Sequence, residues 1–320
     1  MTRRPQLLLS RVADNLYWGA RYLERAEDTA QLVRAYTELV IDLPTRVTST
    51  WEPLLAVAGS RVDFDAFHLQ ATEIDIVRFL VTETTNAGSI LRSVAQAREN
   101  LRTTREVLPR EAWQTINDLY LYVGANASSG VERRTRSRFL GRVIADSQQL
   151  DGVMSTSMSR DAAYELWRLG QSLERADMTT RVVGVRAASL LATRDDHGEH
   201  VGGVYEDVQW MGLLRSVSAL QMYQRRTRGP IDPVGAVRFL LFDDEFPRSV
   251  ASCVNQMRAS LERLPKSELT VPCVDRLVAV LGEIPTRADD PIALDAAMDR
   301  VQAGLALVSD CVRDAFMHAS

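Results

Sequence analysis

The string Leu23-Glu24-Arg25-Ala26 returns as Leu173-Glu174-Arg175-Ala176, 150 residues further along a chain of 320. Both copies lie in long stretches whose apolar residues recur every three or four positions, a spacing that only an α-helix turns into a continuous face. In the first stretch that face comprises Val12, Leu16, Gly19, Leu23, Ala26 and Ala30; in the second, Leu166, Leu169, Leu173, Ala176, Thr180 and Val183. Ser10 is placed to cap a helix running to about Leu39, and Ser159 one running from Arg160 to Leu191. A helix of one type is used twice, and the fold must accommodate both copies.

The likeness continues beyond these helices. Leu91-Arg92-Ser93-Val94 matches Leu214-Arg215-Ser216-Val217, with Arg102 and Arg105 matched by Arg225 and Arg228. Proline-opened helices are expected at Pro109 to Val123 and around Pro230 to Phe242, followed by one around Ser137-Arg138 and one around Pro247-Arg248. The first half carries an additional segment, about 41–86, with Trp51, Phe64, Phe67 and Phe79. The main loops are expected at Ala125 to Arg134 and Thr193 to Gly203. Glycine and proline cluster at few points, leaving no punctuation for short strands. The expected fold is all-α: a single large helical bundle over 1–320, built from two tandem, diverged multi-helix repeats (about 7–158 and 159–265). A closure at 266–320 adds a C-terminal helix from Asp290 to Phe316 with Leu294, Ala297, Val301, Leu305 and Val308 on one face.

Composition narrows the chemistry. A net charge of −4 with both signs interleaved gives no basic footprint for nucleic acid. Of 38 basic residues only Lys266 is a lysine, and it follows Pro265 in an expected inter-helix turn, so a Walker-type phosphate loop or a pyridoxal Schiff base has no amine. Cys253, Cys273 and Cys311 are few, odd in number and far apart, which suggests free thiols in a reducing compartment. No apolar run is long enough for a signal peptide or a membrane span, and a cytoplasmic protein is expected. His197 and His200 lie beside Asp195 and Asp196, but in a glycine-containing loop without metal-ligand spacing on a helix, so no metal is assigned. Nor does any Glu-x-x-His pair suggest a di-iron bundle.

The positioned polar groups are the Glu-Arg dipeptides. Arg21, Glu24, Arg25 and Asp28 share one arc of the first helix, opposite its apolar face; Gln171, Glu174, Arg175 and Arg181 share a similar arc of the second. An ion-paired solvated face would have the same composition. If the two faces line a cleft, the arginine forks could hold a carboxylate or phosphate while Glu24 or Glu174 orients it or takes a proton. Arg98, Glu99 and Asn100 form a second polar group, and Arg215 is a further candidate ligand residue. Trp18 and Tyr22, which flank the first arc, are expected to pack in the core.

With these residues assembled, the chain resembles the alpha-E family, an all-helical bacterial domain marked by a Glu-Arg motif. Ser10 to Ala35 resembles the family's opening motif, Ala97 to Arg105 its Arg-Glu-Asn segment and Ser159 to Ala188 its second Glu-Arg segment. Trp210 to Arg226 and Phe246 to Val250 resemble its later helices, so the likeness covers most of 7–265. Such proteins accompany circularly permuted ATP-grasp and transglutaminase-like proteins. The resemblance thus implies a role in peptide or amide-bond modification, with those two as partners, a peptide or amino-acid-like substrate, and any ATP bound by the partner. Three readings follow: an accessory subunit with a polar ligand or partner site; a transferase or amide hydrolase with Glu24 or Glu174 as general base; and a helix lock made of Glu-Arg pairs.

Overall fold

The computed structural model describes residues 9–43, 51–68, 70–187, 205–285 and 290–317, which form fourteen α-helices and no strand. They are α1 Ser10–Asp42, α2 Pro53–Val57, α3 Arg61–Phe67, α4 Glu73–Val81, α5 Ile90–Arg102, α6 Arg110–Val131 and α7 Arg133–Ser157. Then come α8 Ala162–Arg181, α9 Glu206–Ser216, α10 Leu220–Thr227, α11 Pro233–Phe242, α12 Val250–Arg263, α13 Ser267–Gly282 and α14 Pro291–Phe316. The all-α expectation holds. No described helix is long and apolar enough to cross a membrane, and among the described residues no three His, Cys, Asp or Glu side chains gather as a metal-binding group. The expected loop at 193–203, with its histidines, lies outside the described residues.

Helix α1 is the axis of the bundle, packed by α5, α7, α8 and α9. Both apolar stripes read from the sequence are buried apart from the half-exposed Val12, but so are Glu24 and Asp28 of the polar arc of α1, and Glu27 and Gln31 between arc and stripe. The middle of a helix enclosed by four neighbours has no wet face, and the polar residues there must find protein partners. Contacts advance in the same direction along α1 and α8: Tyr17 lies against Gly170, while Arg21 and Arg25 reach Glu174. The two helices are therefore parallel. The approach depends on Gly170, where a Cβ would fall 2.3 Å from the Tyr17 carbonyl oxygen.

Around this pair the packing is matched on the two sides. Helix α5 lies on α1, and α12 lies on α8. Each is entered from a short helix through a serine cap, Ser89 accepting from the Arg92 amide and Ser249 from the Ser252 amide. The sequences agree at a spacing of 160: Arg78-Phe79-Leu80 with Arg238-Phe239-Leu240, then Ser89, Val94, Gln96, Arg98 and Leu101 with Ser249, Val254, Gln256, Arg258 and Leu261. The other pairing drawn from sequence does not describe equivalent places, since Leu91 to Val94 opens α5 whereas Leu214 to Val217 closes α9.

Other local expectations are corrected. Ser10 is the first helical residue of α1, whose cap position is Leu9, and α8 is capped by Asp161, which accepts from the Ala163 and Tyr164 amides. Beyond Arg181 the helix widens into a π-helical turn, Val182–Ala187. The expected loop at Ala125 to Arg134 is mostly helix. Its small residues serve close packing, because a Cβ on Gly130 would meet Phe139 at 2.6 Å and Val81 at 2.9 Å. The three thiols are not all free: Cys273 and Cys311 are bonded, joining α13 to α14. These helices are antiparallel, with Lys266 donating to the Ala315 carbonyl and Gly304 against Leu277, so cysteines 38 positions apart become neighbours. Helix α14 buries Leu294, Ala297, Val301, Leu305 and Val308, as its pattern indicates.

Replacing Gly170 with alanine forces α1 and α8 apart at backbone level. The expected cost is about 2–3 kcal/mol in urea unfolding, with Gly124→Ala, which meets nothing within 4 Å, close to neutral. Equal stability of the two variants would refute the close-approach account.

Candidate functional site

One turn beyond the Gly170 contact, the two dipeptides meet. Glu24 of α1 accepts from Arg175 of α8 at 2.8 Å, while Glu174 of α8 accepts from Arg25 at 2.5 Å and Arg21 at 2.8 Å on α1. The pairing is reciprocal because the same dipeptide stands at the same level on parallel helices that face one another. In each, the glutamate reaches across to the arginines of the other helix. Both glutamates are buried, at 2% and 3% exposure, so neither charge is shared with bulk water.

A further guanidinium enters from the loop before α12. Arg248 contacts three carboxylates of α1: Glu24 at 2.8 Å, Glu27 at 3.0 Å and Asp28 at 2.5 Å. Its carbonyl accepts from the Thr179 hydroxyl of α8 at 2.8 Å, which fixes the loop to the second helix of the pair. From α7, Gln148 donates to Glu27 at 3.0 Å and Asp151 lies 3.5 Å from Arg175. On the other side, the residue matching Arg248 at a spacing of 160 is Gly88, beside the Arg25 side chain. There Arg21 supplies the second cation, at the position that Gln171 occupies on α8. Each glutamate thus has two guanidinium partners, although the second comes from a different place in each half.

The electrostatics follow from burial set against these partners. Burial alone would raise Glu174, but Arg25 and Arg21 outweigh it and hold the carboxyl down at about 2. Glu24 is likewise lowered against its burial, by Arg175 and Arg248 together with a hydrogen bond from Gln171. Glu27 and Asp28 go the other way, Asp28 well above its ordinary value. Burial dominates for both, and Arg248 has to serve several acids at once. Asp28 Oδ2 is buried and has no hydrogen-bond partner among the described residues, which is consistent with a carboxyl that resists ionisation. Cys253 nearby is buried, with its thiol pushed up to about 12.

The structure brings together Arg21, Glu24, Arg25, Asp28, Glu174 and Arg175. It does not bring in the second group. Arg98 bonds Asn117 at 3.4 Å and lies over Trp113 and Tyr120 of α6, Glu99 pairs with Arg102, and the Asn100 carbonyl accepts from Thr103 and Thr104. These residues clamp α5 to α6 and cap the end of α5. Arg215 is also apart from the cluster, 3.4 Å from Asp42 at the wall of a cavity of about 650 Å³. Trp18 and Tyr22 are half-buried and carry Arg21 and Arg25 over their rings at 4.6 and 5.6 Å. Arg248, Glu27 and Gln148 are members of the network that the dipeptide alone does not indicate. The internal likeness does not lead to Arg248, because the position matching it at a spacing of 160 is Gly88; only the segment Phe246 to Val250, read as resembling a family helix, contains it.

A carboxyl lowered on folding stabilises the protein fully above its ordinary value near 4.5, and that stabilisation is lost as the pH falls toward about 2. Glu27 and Asp28, raised on folding, have the opposite sign: their contribution is complete at low pH and is lost as the pH rises through their folded values. Between pH 4.5 and about 2 the stabilisation lost from Glu174 is on the order of 3 kcal/mol. Urea midpoints should fall steeply across that window, and a flat acid profile would contradict the ion-paired assignment.

The family model of Alpha-E, described as a predicted alpha-helical domain with a conserved ER motif, matches residues 8–317. The match extends past residue 265, where the likeness read from sequence stopped, and takes in α13 and α14. Among curated proteins, an uncharacterized protein of Mycobacterium bovis is 24% identical over 283 residues, covering 80% of this chain and 30% of its own length. Uncharacterized proteins of two Mycobacterium tuberculosis strains match over the same span at 24% and 23%. The chain therefore spans under a third of the length of these curated relatives. No solved structure matches. By a match over nearly its whole length, and with the Glu-Arg dipeptide at the centre of its fold, the chain belongs to the Alpha-E family.

Proposed function

We propose that the protein is a helical accessory component of an ATP-grasp-associated peptide or amide-bond modification system. In it the Glu-Arg dipeptides form the lock that holds the scaffold together. The observation that carries this reading is the saturation of Glu174, a buried carboxylate with one oxygen on Arg25 and the other on Arg21. A general base for work near neutral pH needs a carboxyl raised toward that pH; Glu174 and Glu24 are moved the other way. The arginines that would hold an anionic substrate are occupied by the protein's own acids. This favours the lock over a transferase or hydrolase built on these residues. The link to circularly permuted ATP-grasp and transglutaminase-like partners, with ATP bound by the former, rests on the family resemblance.

Co-expression with an ATP-grasp protein encoded beside it should give a complex that survives purification, and ligation by that enzyme should fall when this chain is omitted. Glu174→Gln leaves Arg21 and Arg25 without their acid and should cost about 3–5 kcal/mol, read as a lowered melting temperature. Complex formation should then track the folded fraction. A fully stable Glu174→Gln protein that binds its partner but yields no product would assign Glu174 to the chemistry and overturn the reading.

A further inference from the structure

The cavity at Arg215 lies where α1, α7 and the α9–α10 turn meet, and its polar lining is unusual for the amides in it: Gln31, Gln148, Gln221 and Gln224. Two of these are oriented by the protein. The Gln31 carbonyl oxygen accepts from Arg34 at 2.7 Å, which leaves its amide nitrogen as a donor. Gln148 spends its amide nitrogen on Glu27, which leaves its carbonyl oxygen as an acceptor. A fixed donor on α1 and a fixed acceptor on α7 are the complement of one peptide group, which offers a carbonyl oxygen and an N–H. Gln31 is only 3% exposed, so its polarity is not that of an ordinary surface residue.

The same cavity holds cations that are weakly engaged. Among the described residues Arg34 forms no ion pair and Arg215 pairs only with the partly exposed Asp42, at 3.4 Å. Arg21, Arg25 and Arg175, in contrast, are held by buried carboxylates at 2.8 Å or less. Two available guanidinium groups suit a carboxylate, which each can grip through paired N–H groups. Glu38, exposed on the same wall, opposes more heavily charged anions such as phosphates. At about 650 Å³ the space falls within the ordinary range for small-ligand sites.

We infer that this cavity is a binding site for a short peptide with a free C-terminal carboxylate, its terminal group held by Arg34 and Arg215 and a peptide group read by Gln31 and Gln148. The assignment rests on the reading of the Glu-Arg dipeptides as an internal lock, since that reading moves ligand binding out of the cluster. The tripeptide Gly-Ala-Ala and its C-terminal amide are suitable probes, titrated into the full chain by calorimetry, with acetate as the anion control. The free acid should bind, the amide about tenfold more weakly, and acetate not measurably. Arg215→Gln should lose about tenfold in affinity, the scale of one charged hydrogen bond. Gln221→Ala should weaken binding with no change in melting temperature.

Equal binding of acid and amide, acetate binding as strong as the tripeptide, or no binding at millimolar peptide would each overturn the site. Glu174→Gln, held below its melting temperature, distinguishes this from failure of the underlying reading. It should bind Gly-Ala-Ala normally. Loss of the peptide in that folded variant, with normal binding by Arg215→Gln, would place the ligand in the Glu-Arg cluster and overturn both.

Discussion

Four carboxyl groups, Glu24, Glu27, Asp28 and Glu174, and four guanidinium groups packed between α1, α8 and the loop before α12 impose the strongest constraint on this bundle. Each charge has lost most of its water, and each is compensated only if its partner helix stands at one height and one rotation. Apolar side chains tolerate a helix sliding by part of a turn, because dispersion contacts are individually weak and have little direction. A buried Glu-Arg pair does not, since breaking it leaves an unpaired charge in a medium of low dielectric. The reciprocal pairs therefore fix the register of α1 against α8, and the apolar stripes fill the space that this register defines.

The reciprocity has a geometric precondition. Parallel helices can present the same dipeptide to each other at one level only if they approach closely just before it, and Gly170 against the Tyr17 carbonyl allows that approach. The arrangement is not wholly symmetric. Around Glu24 the second cation, Arg248, comes from a loop and also collects Glu27 and Asp28; around Glu174 the second cation, Arg21, comes from the facing helix itself. The Arg248 side thus concentrates acids and ties a loop, two helices and, through Gln148, α7. The Arg21 side is compact, with its cation capped by Trp18 and hydrogen-bonded through Ser309 to α14.

The helical content, the two long helices and the importance of the Glu-Arg dipeptide were legible because each is a local or periodic property. The burial of the charges was not. At helical spacing Arg21, Glu24, Arg25 and Asp28 form the polar arc that a solvated helix would show, and only the presence of four neighbours around α1 changes its meaning. Ala125 to Arg134 reads as a loop from sequence because small residues serve turns and tight helix packing alike. The Cys273–Cys311 bond depends on how α13 folds back on α14, which the spacing of the cysteines does not encode. Identical letters join Leu91–Val94 to Leu214–Val217, yet the helix packed on α8 as α5 packs on α1 is α12, where the match is spread over many positions.

The asymmetry also bears on where the protein can meet other molecules. Glu27 is the acid of the Arg248 cluster that faces outward to Gln148, and Gln148 is in turn part of the wall of the cavity bounded by Arg34 and Arg215. By taking one hydrogen bond from Gln148, Glu27 sets which end of that amide is free. The charge network thus extends by one residue beyond the lock and fixes a hydrogen-bonding group at the surface. On the Arg21 side, neither Glu174 oxygen engages a side-chain amide: Arg25 and Arg21 take one each. A duplicated motif that is saturated on one side and coupled to a cavity wall on the other provides rigidity from both copies and a defined polar recess from only one.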